Sequence, residues 1–365
     1  MYIYKKTMVK YIFKRIAFAI LTLFIIIIFS YSIIIAFQQN PYRIAALEEG
    51  LSKLEVQQKL QQAEEFDQTP GIVKLFNYLI NIFQFNYGEV YVYKSEYETI
   101  PEMFFEPLQW TILISLPAFV ISAILGVAIG VLAGYKRGTI WDTLINIFIF
   151  IFVAVPSFVL APFFLNIFNK LGFGRTFVSP YETDSSWAKT IKSIIPPITL
   201  LTLGSLSVYT LYSRNQVITV LTSNYILIAK TKGLSGSKIF FKYVFRNISI
   251  PLAAIIIPSY IGLLSGSIII ERFWLVKGTS DLIVNAFPKG ETNIVMFNIL
   301  FFTTLSLFTE VLVDVTFTLI DPRIKYSKSG GINWFEVIRA SRFRRKAEKE
   351  LFKQQDQELL MKGAN

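Results

Sequence analysis

Two acidic residues, Glu310 and Asp314, lie four residues apart inside a long apolar run near the end of the sequence. On a helix this spacing places both carboxylates on one face. An ionisable group inside a membrane span is energetically costly, and by default it is a candidate for an ion or substrate pathway. The alternative is a hydrated position at the inner mouth of a helix bundle. We favour the hydrated position for Asp314, whereas both interpretations of Glu310 stay open.

Other groups that could do chemistry are sparse. The sequence contains no histidine and no cysteine, which excludes disulfides, zinc fingers, Cys or His nucleophiles and the commonest general base. Residues 233–238 have a superficial likeness to a phosphate-binding loop, but they lack the G-x-x-x-x-G-K-[ST] spacing and no predicted strand precedes them. We therefore predict no catalytic residue, no bound metal or cofactor, and no nucleotide hydrolysis by this chain itself.

The elements that position these residues are six apolar runs. The chain is 53% hydrophobic with a mean hydropathy of +0.50, and a helix needs about 20 apolar residues to cross a bilayer. Soluble all-α proteins rarely contain uncharged runs of that length. We predict an all-α integral membrane protein with six transmembrane helices. The runs are 16–37, 108–134, 144–168, 194–212, 252–270 and 294–320.

The orientation follows from the charges. The first run exceeds the 7–15 apolar residues of a signal peptide and lacks a small-x-small cleavage site, so we expect a retained anchor. If both termini are cytoplasmic, two thirds of the 36 lysines and arginines lie on the inner side, as the positive-inside rule requires. Inner loops beside anionic lipid then explain the net charge of +11, and no nucleic acid partner is needed. The predicted inner segments are 1–15, 135–143, 213–251 and 321–365.

The segment 38–107 is the longest external piece. Residues 45–67 are rich in Glu, Gln and Lys and predict a solvated helix, whereas residues 72–83 have the apolar spacing of an amphipathic helix on the membrane or on the bundle. A docking surface for an external partner and a structural cover are equally compatible with this pattern.

Two packing signals lie in the second and third runs. Gly126, Gly130 and Gly134 repeat at intervals of four, a spacing that lets helix backbones approach closely. Pro156 and Pro162 predict a kink in the third run. A kink that lines a pathway is compatible with the sequence, but a packing kink is favoured.

The predicted cytoplasmic segment 213–251 is polar within an otherwise apolar chain. Residues 225–232 and 237–247 can each form a short helix, and the break falls at Gly233, since glycine permits the positive φ that ends a helix. Ser235 or Ser237 can cap the second helix. Two such helices under the membrane could bind a soluble protein, or they could lie at the interface without a partner.

This segment resembles the "EAA" loop of ABC-importer permeases, most closely in the oligopeptide and dipeptide branch. Other motifs of that branch occur in the same order, at 85–88, 126–138, 155–158, Glu271, Asp314 and 321–324. Together they cover roughly residues 9–325. The matching residues of the loop, with Tyr225 opening its first helix, are Ile228, Ala229, Lys232, Gly233, Leu234, Ser235, Arg246, Asn247 and Pro251.

Some positions depart from the family pattern. Leu227 stands where the general motif has Glu, and Thr231 where this branch usually has Ala. Residues 277–280 replace the outer P-G-x-G, and Glu310 stands where Asn is frequent. The basic tail 326–365 extends beyond the family core, and its role is unassigned.

The resemblance implies the type I importer permease fold, with a permease core at 108–325 and peptides as the transported class. This chain would form half of the path beside a second homologous permease subunit. Two cytoplasmic ABC ATPase subunits, which use ATP and Mg²⁺, would bind the loop around Gly233. An extracellular substrate-binding protein would deliver the cargo to the cell membrane. The candidates for pathway or gating residues are Pro156, Glu271, Glu310 and Asp314.

Three alternatives remain at this level. An ion-coupled secondary transporter could use Glu310, although it predicts inverted repeats that the sequence does not show. A structural membrane anchor for a complex is the second. The third is an ABC importer of another solute, such as nickel or glutathione.

Overall fold

The computed structural model describes residues 2–47, 51–183, 185–320 and 339–344. Within those ranges the chain is helical with connecting loops, and no β-strand occurs. In chain order the helices are α1 Tyr2–Phe37, α2 Pro41–Ala45, α3 Lys53–Gln68, α4 Gly71–Phe83, α5 Ile100–Tyr135, α6 Ile140–Ala154, α7 Ser157–Lys170, α8 Trp187–Leu221, α9 Asn224–Thr231, α10 Gly236–Ile239, α11 Arg246–Gly266, α12 Ile268–Phe273, α13 Thr279–Ala286 and α14 Thr292–Ile320.

The chain divides into two units. Residues 12–317 form one compact unit. The described residues of the other unit, 2–11, 318–320 and 339–344, are all helical. The motif 321–324 and most of the basic tail lie outside the described residues; Arg342 and Arg344 of the tail are helical and exposed.

Five helical stretches are long and apolar enough to cross a membrane: Tyr11–Phe37, Ile100–Tyr135, Trp187–Leu221, Gly236–Phe273 and Thr292–Phe317. Helices α6 and α7 meet the same criteria only as a bent pair, which brings the total to six if the pair is one span. The predicted all-α membrane protein is confirmed. The helices are longer than the apolar runs because polar residues continue the helical hydrogen bonding beyond the hydrocarbon layer.

Helices α5 and α8 pack closely along the glycine stripe. A Cβ built on Gly130 would lie 2.5 Å from the Cβ of Ser213, and one on Gly126 would lie 2.8 Å from the Cβ of Tyr209. Gly134 meets Val217 in the same way, at 2.6 Å from its Cγ1. The predicted close approach of backbones is therefore confirmed, and α8 is the partner.

The third apolar run is broken rather than kinked. Helix α6 ends at Ala154, Val155 is extended, and α7 starts after Pro156 at an angle of 107° to α6. Proline lacks the N–H needed to continue a helix and pushes the preceding residue into an extended conformation. The prediction of a proline-induced bend is correct, but one continuous helix over 144–168 is not what forms.

In the described part of the segment 38–107, which we predict to be external and call the external segment, the helices α2, α3 and α4 precede the start of α5. The predicted helix 45–67 is wrong at its start, because Ser52 and Glu55 form a capping box that begins α3 at Lys53. Helix α4 agrees with the predicted amphipathic helix. One of its faces packs Leu75 and Tyr78 on the hydrophobic core beneath, and the other exposes Ile72 and Phe76. These contacts agree with a structural cover of the bundle, and the docking role stays a prediction.

Candidate functional site

The segment 213–251, which we call the coupling segment after its predicted role, begins within the last turns of α8 and continues through α9 and α10. Ile226 and Ala229 of α9 are buried in a cluster that includes Val217 and Ile248. The opposite side of α9 exposes Tyr225 and the unusual Leu227, together with Ile228. Helix α9 is thus fixed to the bundle by one face and presents an apolar strip outward.

Gly233 ends α9 in a left-handed conformation with φ +70°. Its N–H donates to the carbonyl of Lys230 at 2.9 Å, and the N–H of Leu234 donates to the carbonyl of Ala229 at 3.3 Å. This pair of bonds is the Schellman motif, in which glycine avoids the Cβ penalty of positive φ. The predicted glycine break is confirmed, and Lys232, Gly233 and Ser235 are exposed at the corner.

The second half of the segment differs from the expectation. Ser235 occupies the N-cap position of α10, but no side-chain capping bond forms, and Ser237 lies inside the helix. A π-helical turn at Phe240–Phe245 then leads directly into α11. The separate helix 237–247 is therefore wrong. Pro251 does not stop this run, because π turns and neighbouring helices can accommodate proline in a membrane helix.

The exposed surface of this second half is aromatic and basic. Phe241 is 68% exposed and Phe245 is 46% exposed. Arg246 and Asn247 are also exposed, and the Asn247 amide donates to the carbonyl of Tyr243. Of the predicted coupling residues, Ala229 is therefore buried, Leu234 and Pro251 are half-buried, and the others are exposed.

An ion pair that the sequence did not reveal lies at the start of this segment. Arg214 of α8 binds Asp142 of α6 through two bonds, Nε to Oδ1 at 2.7 Å and Nη2 to Oδ2 at 2.9 Å. The backbone N–H of Gly138 and the amide of Asn146 also donate to the carboxylate, each at 3.0 Å. This bidentate pair fixes α6 to the part of α8 that carries α9.

Glu271 lies buried near the end of the helical stretch Gly236–Phe273, which starts in the coupling segment. Its carboxylate accepts hydrogen bonds from the Ser267 hydroxyl and from the backbone N–H of Ser280, the latter at 3.2 Å. The neighbouring Thr279 N–H donates to the Thr111 hydroxyl at 3.0 Å. Glu271 thus holds the loop that begins α13, and its role in gating stays a prediction.

The other predicted pathway residues are distributed over separate elements. Pro156 is exposed at the break between α6 and α7. Asp314 is half-buried on α14 and forms an ion pair with Arg15 of α1, whereas Glu310 is exposed one turn away. Asp314 therefore has a partner that the sequence did not predict, and the role of Glu310 stays open.

A second unpredicted acid, Glu291, organises the external segment. It is buried before α14, and its Oε1 accepts the backbone N–H groups of Tyr91, Val92 and Tyr93 at 2.8, 2.5 and 3.2 Å. A carboxylate that binds three amides fixes this loop to the bundle. Nothing local in the sequence indicates this pairing, since about 200 residues separate the partners.

Residues 126–326, which begin at the glycine stripe of α5 and extend past the end of α14, match the family model described as the binding-protein-dependent transport system inner membrane component. The chain belongs to this family. It is a multi-pass membrane subunit of a transport system, and the coupling segment lies wholly within the matched region.

Curated relatives are similar over most of their length. The oligopeptide transport system permease protein OppB of Mycoplasma genitalium is 31% identical over 89% of this chain and 79% of its own. OppB of Salmonella typhimurium is 27% identical over 87% of this chain and all of its own. The dipeptide transport system permease protein DppB of Lactococcus lactis is also 27% identical, with the same coverage.

Proposed function

We propose that this chain forms half of the membrane path of an ATP-driven peptide importer. The observation that carries the proposal is the exposed corner at Gly233, which joins α9, packed on the bundle, to α10, which continues into α11. The names of the similar proteins support peptides as the transported class. Family membership gives no support to the ion-coupled carrier or to the structural anchor.

The geometry supplies a mechanism for coupling. Two cytoplasmic ATPase subunits bind and hydrolyse ATP with Mg²⁺, and one of them contacts the exposed faces of α9 and the π turn. Because Ile226 and Ala229 are packed on α8 and α11, a displacement of α9 moves the bundle. Leu227 makes the ATPase contact apolar at the position where related loops carry an acid.

The remaining partners follow from the same proposal. A second homologous permease subunit completes the path, and an extracellular binding protein delivers peptides to the outer face. The N-terminus, the Gly233 corner and the C-terminal tail lie in the cytoplasm, since the inner segments hold most of the lysines and arginines.

The substitution Gly233→Pro tests the coupling role. Proline fixes φ near −65° and lacks the N–H, so it cannot adopt φ +70° or donate to Lys230. We expect normal membrane insertion but at least a ten-fold loss of peptide-stimulated ATPase activity and of tripeptide uptake by the assembled transporter in proteoliposomes.

Gly236→Pro is the matched control. Gly236 is the first residue of α10, and Ser235 before it is already extended, which is the arrangement that proline prefers. This control should retain uptake within about two-fold. Coupling through the corner is refuted if the Gly233 variant keeps its ATPase stimulation, and the peptide assignment is refuted if the wild-type transporter accumulates no peptide.

A further inference from the structure

A polar cleft lies between α3, α4 and the loop that precedes α5. Its volume is about 440 Å³, within the range of about 300–1,000 Å³ that is typical of small-ligand pockets. Five amide side chains line it, and aromatic rings form much of the rest of its wall. The amides are Gln62, Asn77, Asn81, Asn86 and Asn293.

The floor of the cleft is rigid. The amide of Asn293 donates to the carbonyl of Glu89 at 2.8 Å. Gly88 has φ +89°, and a Cβ there would lie 2.6 Å from the Cγ of Asn293, so only glycine fits. Further along the same loop, the Glu291 carboxylate accepts the N–H groups of residues 91–93. A preformed floor of this kind lowers the entropic cost of binding a ligand.

One part of the wall contains the carboxylates of Glu65 and Glu89 and a cluster of aromatic rings. Tyr42 packs edge-to-face on Tyr91, with ring centroids 5.0 Å apart, and on Phe66 at 5.9 Å. Glu65 and Glu89 line the same cleft as Tyr42. Burial raises the pKa of the Tyr42 phenol, and the charges of the two carboxylates raise it further. Carboxylates beside aromatic faces form a favourable environment for a cation.

Lys74 provides the opposite charge in the same cleft. Its ammonium lies 3.6 Å from the centroid of the Phe66 ring. The lining therefore offers two anions, one cation and several groups that both donate and accept hydrogen bonds. Amide side chains match the alternating N–H and C=O groups of a peptide backbone without selecting side chains.

We propose that this cleft binds the amino-terminal end of a short peptide, with its α-ammonium between Glu65 and Glu89. The amide side chains hold the peptide backbone, and Lys74 pairs with carbonyl or carboxylate oxygens further along. This inference rests on the proposed function and adds a peptide site on the permease subunit itself. A concave cleft of this size suits a peptide end better than the flat surface of a protein partner.

The test is calorimetric titration of the purified full chain in lipid nanodiscs with trialanine and with N-acetyl-trialanine. Acetylation removes the positive charge but keeps the backbone. We expect trialanine to bind at least ten-fold more tightly, because charge-assisted bonds to two carboxylates are lost on acetylation. The double variant Glu65→Gln/Glu89→Gln should bind both peptides equally and weakly.

Glu64→Gln is the matched control, since Glu64 is an exposed carboxylate on the same helix and does not line the cleft. It should bind trialanine as the wild type does. The proposal is overturned if the wild type binds neither peptide, if both bind equally, or if the double variant retains the preference.

Two further outcomes separate this inference from the proposed function. If the assembled transporter imports tripeptide but the isolated chain does not bind trialanine, only the cleft assignment fails. If the double variant instead releases the external binding protein from the transporter while trialanine affinity is unchanged, the cleft is a protein contact and the peptide site is refuted.

Discussion

The ion pair of Asp142 and Arg214, in α6 and the coupling segment, is both nearly buried and bidentate. The two side chains are only 8% and 17% exposed, and two parallel bonds join them. The pair formed by Arg43 and Asp67 on the external segment has a similar bond of 2.7 Å, but its side chains are 63% and 44% exposed. Solvent screening makes exposed pairs nearly neutral for stability, whereas an unpaired buried charge is costly.

Asp142→Asn should therefore destabilise the chain by about 3–5 kcal/mol, because it leaves the Arg214 guanidinium buried without a counter-charge. Asp67→Asn should cost less than about 1 kcal/mol. Unfolding of the purified chain in detergent, followed by tryptophan fluorescence, measures both losses. Equal losses in the two variants would show that burial does not decide the value of this pair. The double variant Asp142→Leu/Arg214→Met should recover part of the loss.

Local features at single residues were predictable, and distant pairings were not. The positive φ of Gly233 followed from its place after a short helical pattern, since few other residues tolerate that conformation. Arg214 appeared in the sequence only as one of the basic residues of an inner loop. Its partner is 72 residues away, and Glu291 binds amides about 200 residues away, so no local spacing encodes either contact.

At the scale of elements, the close contact between α5 and α8 depends on glycines, which carry no side chain. In the lipid phase helices associate through close packing rather than through the hydrophobic effect, so small residues at the crossing are essential. Gly130 has no free space, since a Cβ would lie 2.5 Å from both the Cβ of Ser213 and the carbonyl oxygen of Thr210. The backbone of α8 could move away from an added Cβ only if the two helices separated.

Gly130→Ala should destabilise the chain by about 1–3 kcal/mol through overpacking. Gly204→Ala on α8 should be neutral or stabilising by up to about 1 kcal/mol, because no atom lies within 4 Å of its added methyl group and alanine favours the helix. Denaturant titration of both variants in the same detergent compares them. If Gly204→Ala lost as much stability as Gly130→Ala, the loss would come from replacing any helical glycine and not from the close helix crossing.

The presence of helices was predicted better than the residues at which they begin and end. Periodicity predicted α4 and the apolar spans, but the capping box at Ser52 moved the start of α3, and the π turn at Phe240–Phe245 joined α10 to α11. Both features are set by local hydrogen bonds, which hydrophobic periodicity does not predict. The break at Pro156 was predictable in position, whereas its angle of 107° depends on packing.

For the whole molecule, composition and order of motifs were sufficient to predict class and family. The apolar runs predicted the membrane class, and an ordered set of short motifs indicated the family that the comparison of residues 126–326 supports. The polar cleft was not predictable, because its amides come from α3, α4, the following loop and the start of α14. Only the folded chain brings these amides together.

Orientation in the membrane is the property of the whole chain that the charges predict most directly. Because the sequence contains no cysteine, each introduced cysteine is a unique label site. Two exposed sites suit this test: Ser237 in the coupling segment, changed to Cys, and Gln58 on α3, changed to Cys. In intact cells a membrane-impermeant maleimide should label position 58 and not position 237, since the more basic segments stay in the cytoplasm. Both positions should react after permeabilisation, which controls for access. Labelling of position 237 from outside would reverse the topology and remove the Gly233 corner from the reach of any cytoplasmic ATPase.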